Sequence, residues 1–219
     1  MSPIRLVVFD CDGTLVDSQA VIVACMRQAF ERQGLEPPEA RAVQRVVGLS
    51  LTTAVLQLMP VPDTGAAERL AEGYRAAFLD RRCRPDHDEP LFPGTIELLQ
   101  ALEARGLLMG VATGKAMRGL RHVLARHGIE RYFITLQTAD LHPSKPHPAM
   151  LEAAMRETGA APEETMLVGD TTFDVLMAKA AGAVPVGVAW GNHPEAELRA
   201  AGARHMLARF DQLLDLLPA

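Results

Sequence analysis

The sequence predicts an α/β fold: a Rossmann-like parallel-sheet core sandwiched by helices, with a small all-helical cap domain inserted after the first strand. Three observations carry this expectation. Compact apolar runs recur at residues 4–9, 107–112, 131–136, 165–168 and 184–189. Each of the first four is followed by a stretch of helical character, the alternation expected of parallel strands joined by helical crossovers. Between the first run and the second, roughly ninety residues pattern well as helices and badly as strands.

Residues 4–9 form a β-branched, apolar segment that stops at the Asp12-Gly13 turn signal, so the first strand should end at Asp10. In the insertion, residues 19–33 read as a helix ended by Gly34, and Pro37-Pro38 can start another. Residues 51–59 stop before Pro60, and 64–82 are rich in Ala, Leu and Glu. These pieces make up the cap, residues 17–88, leaving 1–16 and 89–219 as the core. Residues 83–93, with prolines and several charges, read as the returning linker. Residues 95–105 rejoin the core as a helix closed by Gly106.

Composition narrows the partners. The chain has 219 residues, 48% of them hydrophobic, enough for a packed core. Its 27 acidic and 22 basic side chains leave a formal charge of -5, and no run of Lys or Arg offers the stripe that nucleic acid or an anionic membrane surface needs. A small anion remains possible, because it responds to the field of a pocket rather than to net charge. Three cysteines without metal-ligand spacing point to a reducing compartment, and neither a signal peptide nor a membrane span is visible. The expectation is a cytoplasmic protein, monomer or homodimer. There is no internal repeat or low-complexity tract.

In open parallel sheets, ligands bind beyond the carboxyl ends of the strands, so the polar residues after each apolar run are the candidates. They are Asp10, Asp12 and Thr14; Thr113, Gly114 and Lys115; Lys145 in Ser144-Lys145-Pro146; and Asp170 and Asp174. Four carboxylates at one sheet edge would repel one another unless a cation sat among them, and oxygen-only ligands select a hard ion such as Mg²⁺. A phosphate could then join, with Thr113, Lys145 and turn amides on its outer oxygens. Alone, each motif has an ordinary explanation. Asp12-Gly13 is a common turn, Thr113 a helix cap, Lys145-Pro146 a solvated turn, and Asp170 and Asp174 favourable charges at a helix N-terminus. Only together, each at a strand end, do they read as a phosphoryl-transfer site.

The pattern Asp10-x-Asp12-Gly13-Thr14-Leu15-Val16-Asp17, then Thr113, then Lys145-Pro146, then Gly169-Asp170-(x)3-Asp174, resembles the four ordered motifs of the haloacid dehalogenase-like superfamily. An insertion between the first two motifs resembles the subgroup with a helical cap. The segment Gly187-Val188-Ala189-Trp190-Gly191 looks most like the phosphoglycolate phosphatase branch. The resemblance implies a Mg²⁺-dependent phosphatase acting on a small phosphorylated metabolite, such as phosphoglycolate or a sugar phosphate. By it, Asp10 is the nucleophile that forms an aspartyl-phosphate and also binds Mg²⁺. Asp12 is the acid and base and lends its backbone carbonyl to the metal. Asp170 binds the metal directly, and Asp174 does so through water or a hydrogen bond. Thr113, Gly114 and Lys145 hold the phosphoryl group.

Asp12 separates close alternatives, since family members that dehalogenate keep the nucleophile but lack this second acid. A phosphomutase would use the same residues. A phosphoacceptor signalling module, the alternative from a different class, is opposed by the large insertion and by the position of the acceptor after the first strand. Other conspicuous residues read as structural. Cys11 should point away from its acidic neighbours, Trp190 should pack, and the histidines show no ligand pattern. Gly48-Leu49-Ser50 resembles a substrate-facing turn of the subgroup, and Arg45 beside it could reach a substrate carboxylate.

Overall fold

The computed structural model describes residues 3–84 and 87–217. The core sheet has six parallel strands: β1 (Leu6–Phe9), β2 (Leu108–Thr113), β3 (Thr135–Thr138), β4 (Thr165–Gly169), β5 (Val184–Val188) and β6 (His205–Leu207). They lie in the order β3-β2-β1-β4-β5-β6, so the direction of winding reverses between β1 and β4. Both faces of β1 are covered, which is why its sequence is continuously apolar rather than alternating. Val7 and Phe9 point into one cluster with Leu98, Leu102, Val111 and Leu120, whereas Leu6 and Val8 join Met150, Leu151 and Met177 on the other face.

The helices follow from local chemistry. In the insertion lie α1 (Gln19–Arg32), α2 (Ala40–Gln44), α3 (Leu51–Leu58) and α4 (Thr64–Arg82). Along α1, Val21, Ile22, Cys25, Met26, Ala29 and Phe30 recur at helical spacing and are all buried. They meet Val43, Val55, Leu70 and Phe78 in an apolar cluster separate from the two around the sheet. Asp63 caps α4 by accepting from the Ala66 amide at 2.7 Å. The core helices are α5 (Thr95–Ala104), α6 (Met117–Arg126), α7 (Ala149–Thr158), α8 (Thr172–Ala180) and α9 (Glu195–Ala201). The outgoing and returning linkers run side by side: the Asp17 amide donates to Pro90 O at 2.8 Å and the Phe92 amide to Leu15 O at 3.0 Å.

Two strands depart from expectation. Residues 131–136 are predicted as a strand, but Glu130–Tyr132 form a 3-10 turn that buries Tyr132, and β3 begins only at Thr135. The apolar signal there belongs to the turn's anchors. The strand itself carries polar side chains that satisfy one another: Gln137 donates to Thr135 Oγ1 at 2.7 Å and lies 2.7 Å from His142 Nε2. β6 was not expected, because three residues with two only half-buried leave no apolar run.

Candidate active site

The strand register delivers the acidic residues to one edge. Phe9 pairs with Val111 on one side and Val168 on the other. The residues just beyond, Asp10, Thr113 and Asp170, therefore emerge together at the carboxyl end of the sheet. The Asp10 amide donates to Val168 O at 2.9 Å, extending β1 by one residue. From there the chain turns sharply at Gly13, whose φ is +83° and where a Cβ would lie 2.3 Å from Asp170 Oδ2.

Asp10, Asp170 and Asp174 are all buried, and each offers an oxygen within 4.8 Å of the others. Asp10 Oδ1 accepts from the Cys11 amide at 2.6 Å. Its Oδ2 lies 2.9 Å from Lys145 Nζ but lacks an aligned hydrogen-bond donor. Asp170 is more fully held: Oδ1 accepts from Thr14 Oγ1 at 2.9 Å, and Oδ2 accepts from Asn192 N and Nδ2, each at 2.8 Å. Asp174 caps α8 reciprocally with Thr171, whose amide and hydroxyl both donate to Oδ2, and its Oδ1 accepts from Lys145 Nζ at 2.6 Å. Lys145 thus stands fully buried between two carboxylates.

The electrostatics follow from this crowding. Burial pushes the Asp10 carboxyl up to about 8; Lys145 pulls it down, and Asp174 and Asp170 push it further up. Asp170 is raised to about 6 by burial and by Asp174, against its Asn192 and Thr14 hydrogen bonds. Burial opposes the charge on Lys145, but Asp10 and Asp174 outweigh it and hold the ammonium above its ordinary range. One cation for three buried carboxylates, with one oxygen lacking a donor, leaves an all-oxygen set that fits a hard divalent cation.

Asp12 sits apart from this cluster and faces a cavity. Its Oδ1 accepts from Ser18 Oγ at 2.7 Å and from Lys115 Nζ at 2.8 Å. Lys115 also reaches Glu89 Oε1 at 3.4 Å, and Glu89 Oε2 lies 3.0 Å from His87 Nε2. Both linkers therefore converge on Asp12: Ser18 from the outgoing one, Glu89 through Lys115 from the returning one. Asp12, Thr113, Gly114 and Lys115 line one side of a cavity of about 520 Å³, and residues of α1, α3 and α4 line the other. Gly114 meets the insertion closely, since a Cβ there would lie 2.4 Å from Leu49 O and 2.5 Å from Gly48 O. The Ser50 amide donates to Ser144 Oγ at 2.8 Å, so the Gly48-Leu49-Ser50 turn rests on the core loops.

Of the predicted residues, the structure joins Lys145 to Asp10 and Asp174, brings Asp170 within 4.8 Å of both carboxylates, and places Asp12, Thr113 and Gly114 on the adjoining cavity wall. Arg45 is not brought in. Its guanidinium pairs with Glu197 at 2.6 Å, half-exposed, and does not line the cavity, because α2 turns it outward toward α9. Cys11 faces the core, where burial pushes its thiol up, and Trp190 packs on Phe92 and Phe210 while donating to Thr14 O. His127, the residue that ends α6, has its Nε2 2.8 Å from Glu89 O. Asn192, Ser18 and Glu89 went unassigned. Asn192 follows β5 and the strand-end rule could have found it; Ser18 and Glu89 have no local signal.

Comparison with known proteins places this geometry in a family. Residues 7–188 match the sequence model of the haloacid dehalogenase-like hydrolases. The chain is 36% identical over 213 residues to IndB of Dickeya dadantii, named a probable phosphatase, covering 95% of this chain and 91% of that one. It is 31% identical over 199 residues to a phosphoglycolate phosphatase of Vibrio parahaemolyticus, covering 88% and 87%. A 5'-nucleotidase of Pseudomonas aeruginosa is 28% identical over 212 residues, covering 96% and 94%. The crystal structure of a hydrolase from Pseudomonas syringae superposes with a TM-score of 0.84 at 28% identity, covering 96% of each chain.

Proposed function

Since the chain belongs to the haloacid dehalogenase-like hydrolase family, among its phosphatases, we propose that it hydrolyses a small-molecule phosphate monoester in a Mg²⁺-dependent reaction through an aspartyl-phosphate on Asp10. The observation that carries this reading is the setting of Asp10: its Oδ2 lies 2.9 Å from the Lys145 ammonium, and Asp170 and Asp174 each offer an oxygen within 4.8 Å. A carboxylate oxygen keeps a lone pair beside one such contact, and once ionised it can attack phosphorus.

Asp10, Asp170 and Asp174, with the Asp12 carbonyl, would hold Mg²⁺, which would offset the charge of the substrate phosphate and favour ionised Asp10. Lys145 bridges Asp10 and Asp174, offsetting their repulsion, and donates to a phosphoryl oxygen; Thr113 Oγ1 and the Gly114 amide bind others. As the Asp10 oxygen bonds to phosphorus, the bond to the leaving oxygen breaks and Asp12 gives that oxygen its proton. Asp12, ionised again, takes a proton from water as the water attacks phosphorus, releasing phosphate and restoring Asp10. Ser18 and Lys115 keep Asp12 Oδ1 in place, and its Oδ2 has no protein partner among the described residues. Residues 17–88 act as the cap over the leaving group.

No helix among the described residues is long and apolar enough to cross a membrane. Cys11, Cys25 and Cys83 are free thiols, which suits a reducing cytoplasm. The test is phosphate release from small esters, beginning with phosphoglycolate, by metal-stripped protein with and without added Mg²⁺. Release should require Mg²⁺ and vanish in Asp10→Asn; an active Asp10→Asn protein would remove Asp10 as nucleophile.

A further inference from the structure

The cavity beside Asp12 lies on the leaving-group side of the site. Asp12 protonates the departing oxygen, so the alcohol must extend from phosphorus past Asp12, and the cavity begins there and runs toward α1, α3 and α4. We infer that the alcohol is an extended, largely apolar or aromatic body that ends in an anionic group, and not a two-carbon acid. This rests on the phosphatase reading and names the substrate class of the same site.

Three observations support the inference. The volume, about 520 Å³, belongs to the range that encloses a drug-sized ligand. Ile22, Met26, Val47, Leu51 and Phe78 supply the far wall, so a two-carbon acid would leave it facing water, whereas an apolar body would cover it. Each methylene withdrawn from water there is worth about fourfold in affinity. The third is Arg82, which lines the same cavity. Its guanidinium lies over the Phe78 ring at 4.9 Å and donates to Gly119 O at 3.3 Å, while its Nε is buried without an acceptor. No carboxylate of the described residues pairs with Arg82, although Lys115 nearby has two. A cation that is partly buried and lacks a counter-charge is suited to an anion on the ligand.

The test compares esters with alkoxide leaving groups in Mg²⁺: ethyl phosphate, phosphoglycolate, 2-phenylethyl phosphate and the same phenylethyl ester bearing a para-carboxylate. Expected are kcat/KM values at least about tenfold higher for 2-phenylethyl phosphate than for the two small esters, chiefly through KM. A further gain is expected for the carboxylated ester, and Arg82→Gln should erase that gain while Arg82→Lys keeps part of it. Equal or better turnover of phosphoglycolate would overturn the inference and leave the phosphatase reading standing. Calorimetric titration with 3-phenylpropylphosphonate and propylphosphonate, which cannot be hydrolysed, separates the two claims. Tighter binding of the phenyl compound without turnover of any ester would uphold the cavity's preference and remove the phosphatase reading; equal binding would overturn the preference.

Discussion

Consider the protein stripped of divalent metal by chelation and unfolded by heat at a series of pH values from about 5 to about 8. Burial raises the Asp10 carboxyl from 3.8 to about 8 in the folded protein. Between those values the folded state keeps a proton that the unfolded chain has released, so stability must fall as the pH rises. It is fully present below the unfolded value and lost as the pH passes through the folded one. Each pH unit inside the window removes about 1.4 kcal/mol, so three units remove about 4 kcal/mol. Asp170, raised to about 6, acts in the same direction at the lower end, but it shares one site with Asp10 and the two are not summed. For a chain of this length, about 4 kcal/mol lowers Tm by roughly 8–16 °C. Asp10→Asn cannot ionise, so its curve should be much flatter and should lie above the wild type at the alkaline end. Saturating Mg²⁺ should flatten the wild-type curve as well, with protons released on binding near neutral pH. Scanning calorimetry of the three samples measures this directly. A wild-type Tm that stays level or climbs over the range, or the same slope in Asp10→Asn, would refute the reasoning.

Other perturbations test neighbouring parts of the site. Lys145→Met leaves Asp10 and Asp174 buried without their shared cation and should cost about 3–5 kcal/mol, read from the denaturant midpoint, as well as abolishing phosphate release. Asp12→Asn should lower kcat/KM, which reports the steps through aspartyl-phosphate formation, by about 10²–10⁴ for alkyl esters but spare it for p-nitrophenyl phosphate, because a good leaving group needs no proton; equal losses of kcat/KM on both would remove the acid role. At Gly191 an added Cβ would lie 2.1 Å from Asp170 Cβ, so Gly191→Ala should destabilise by about 1–3 kcal/mol and weaken Mg²⁺ binding in a calorimetric titration.

The candidate residues that could be found from sequence share one property: each lies next to its own strand in the chain. Asp10 follows β1, Thr113 closes β2, and Asp170 follows β4, so an apolar run with a polar residue behind it was enough to locate them. Lys145 has no strand of its own and was found by motif order. The same reading failed where the signal and the element part company, as at β3, whose apolar neighbours anchor a turn while the strand itself is polar. It also failed for Arg45, since proximity to the Gly48 turn in sequence says nothing about which way a short helix turns its side chains.

What the sequence determined by itself is the order and chemical type of the groups: carboxylates at the ends of parallel strands, a lysine for them to share, and a helical insertion after the first strand. Tertiary structure alone decided their energies and supports. Lys115 meets Asp12 across 103 positions of sequence, Thr14 meets Asp170 across 156, and Glu89 arrives on a returning linker. The upward push on Asp10 is likewise a property of packing, because the cost of charging a carboxylate is set by everything that excludes water around it, and no stretch of chain carries that information.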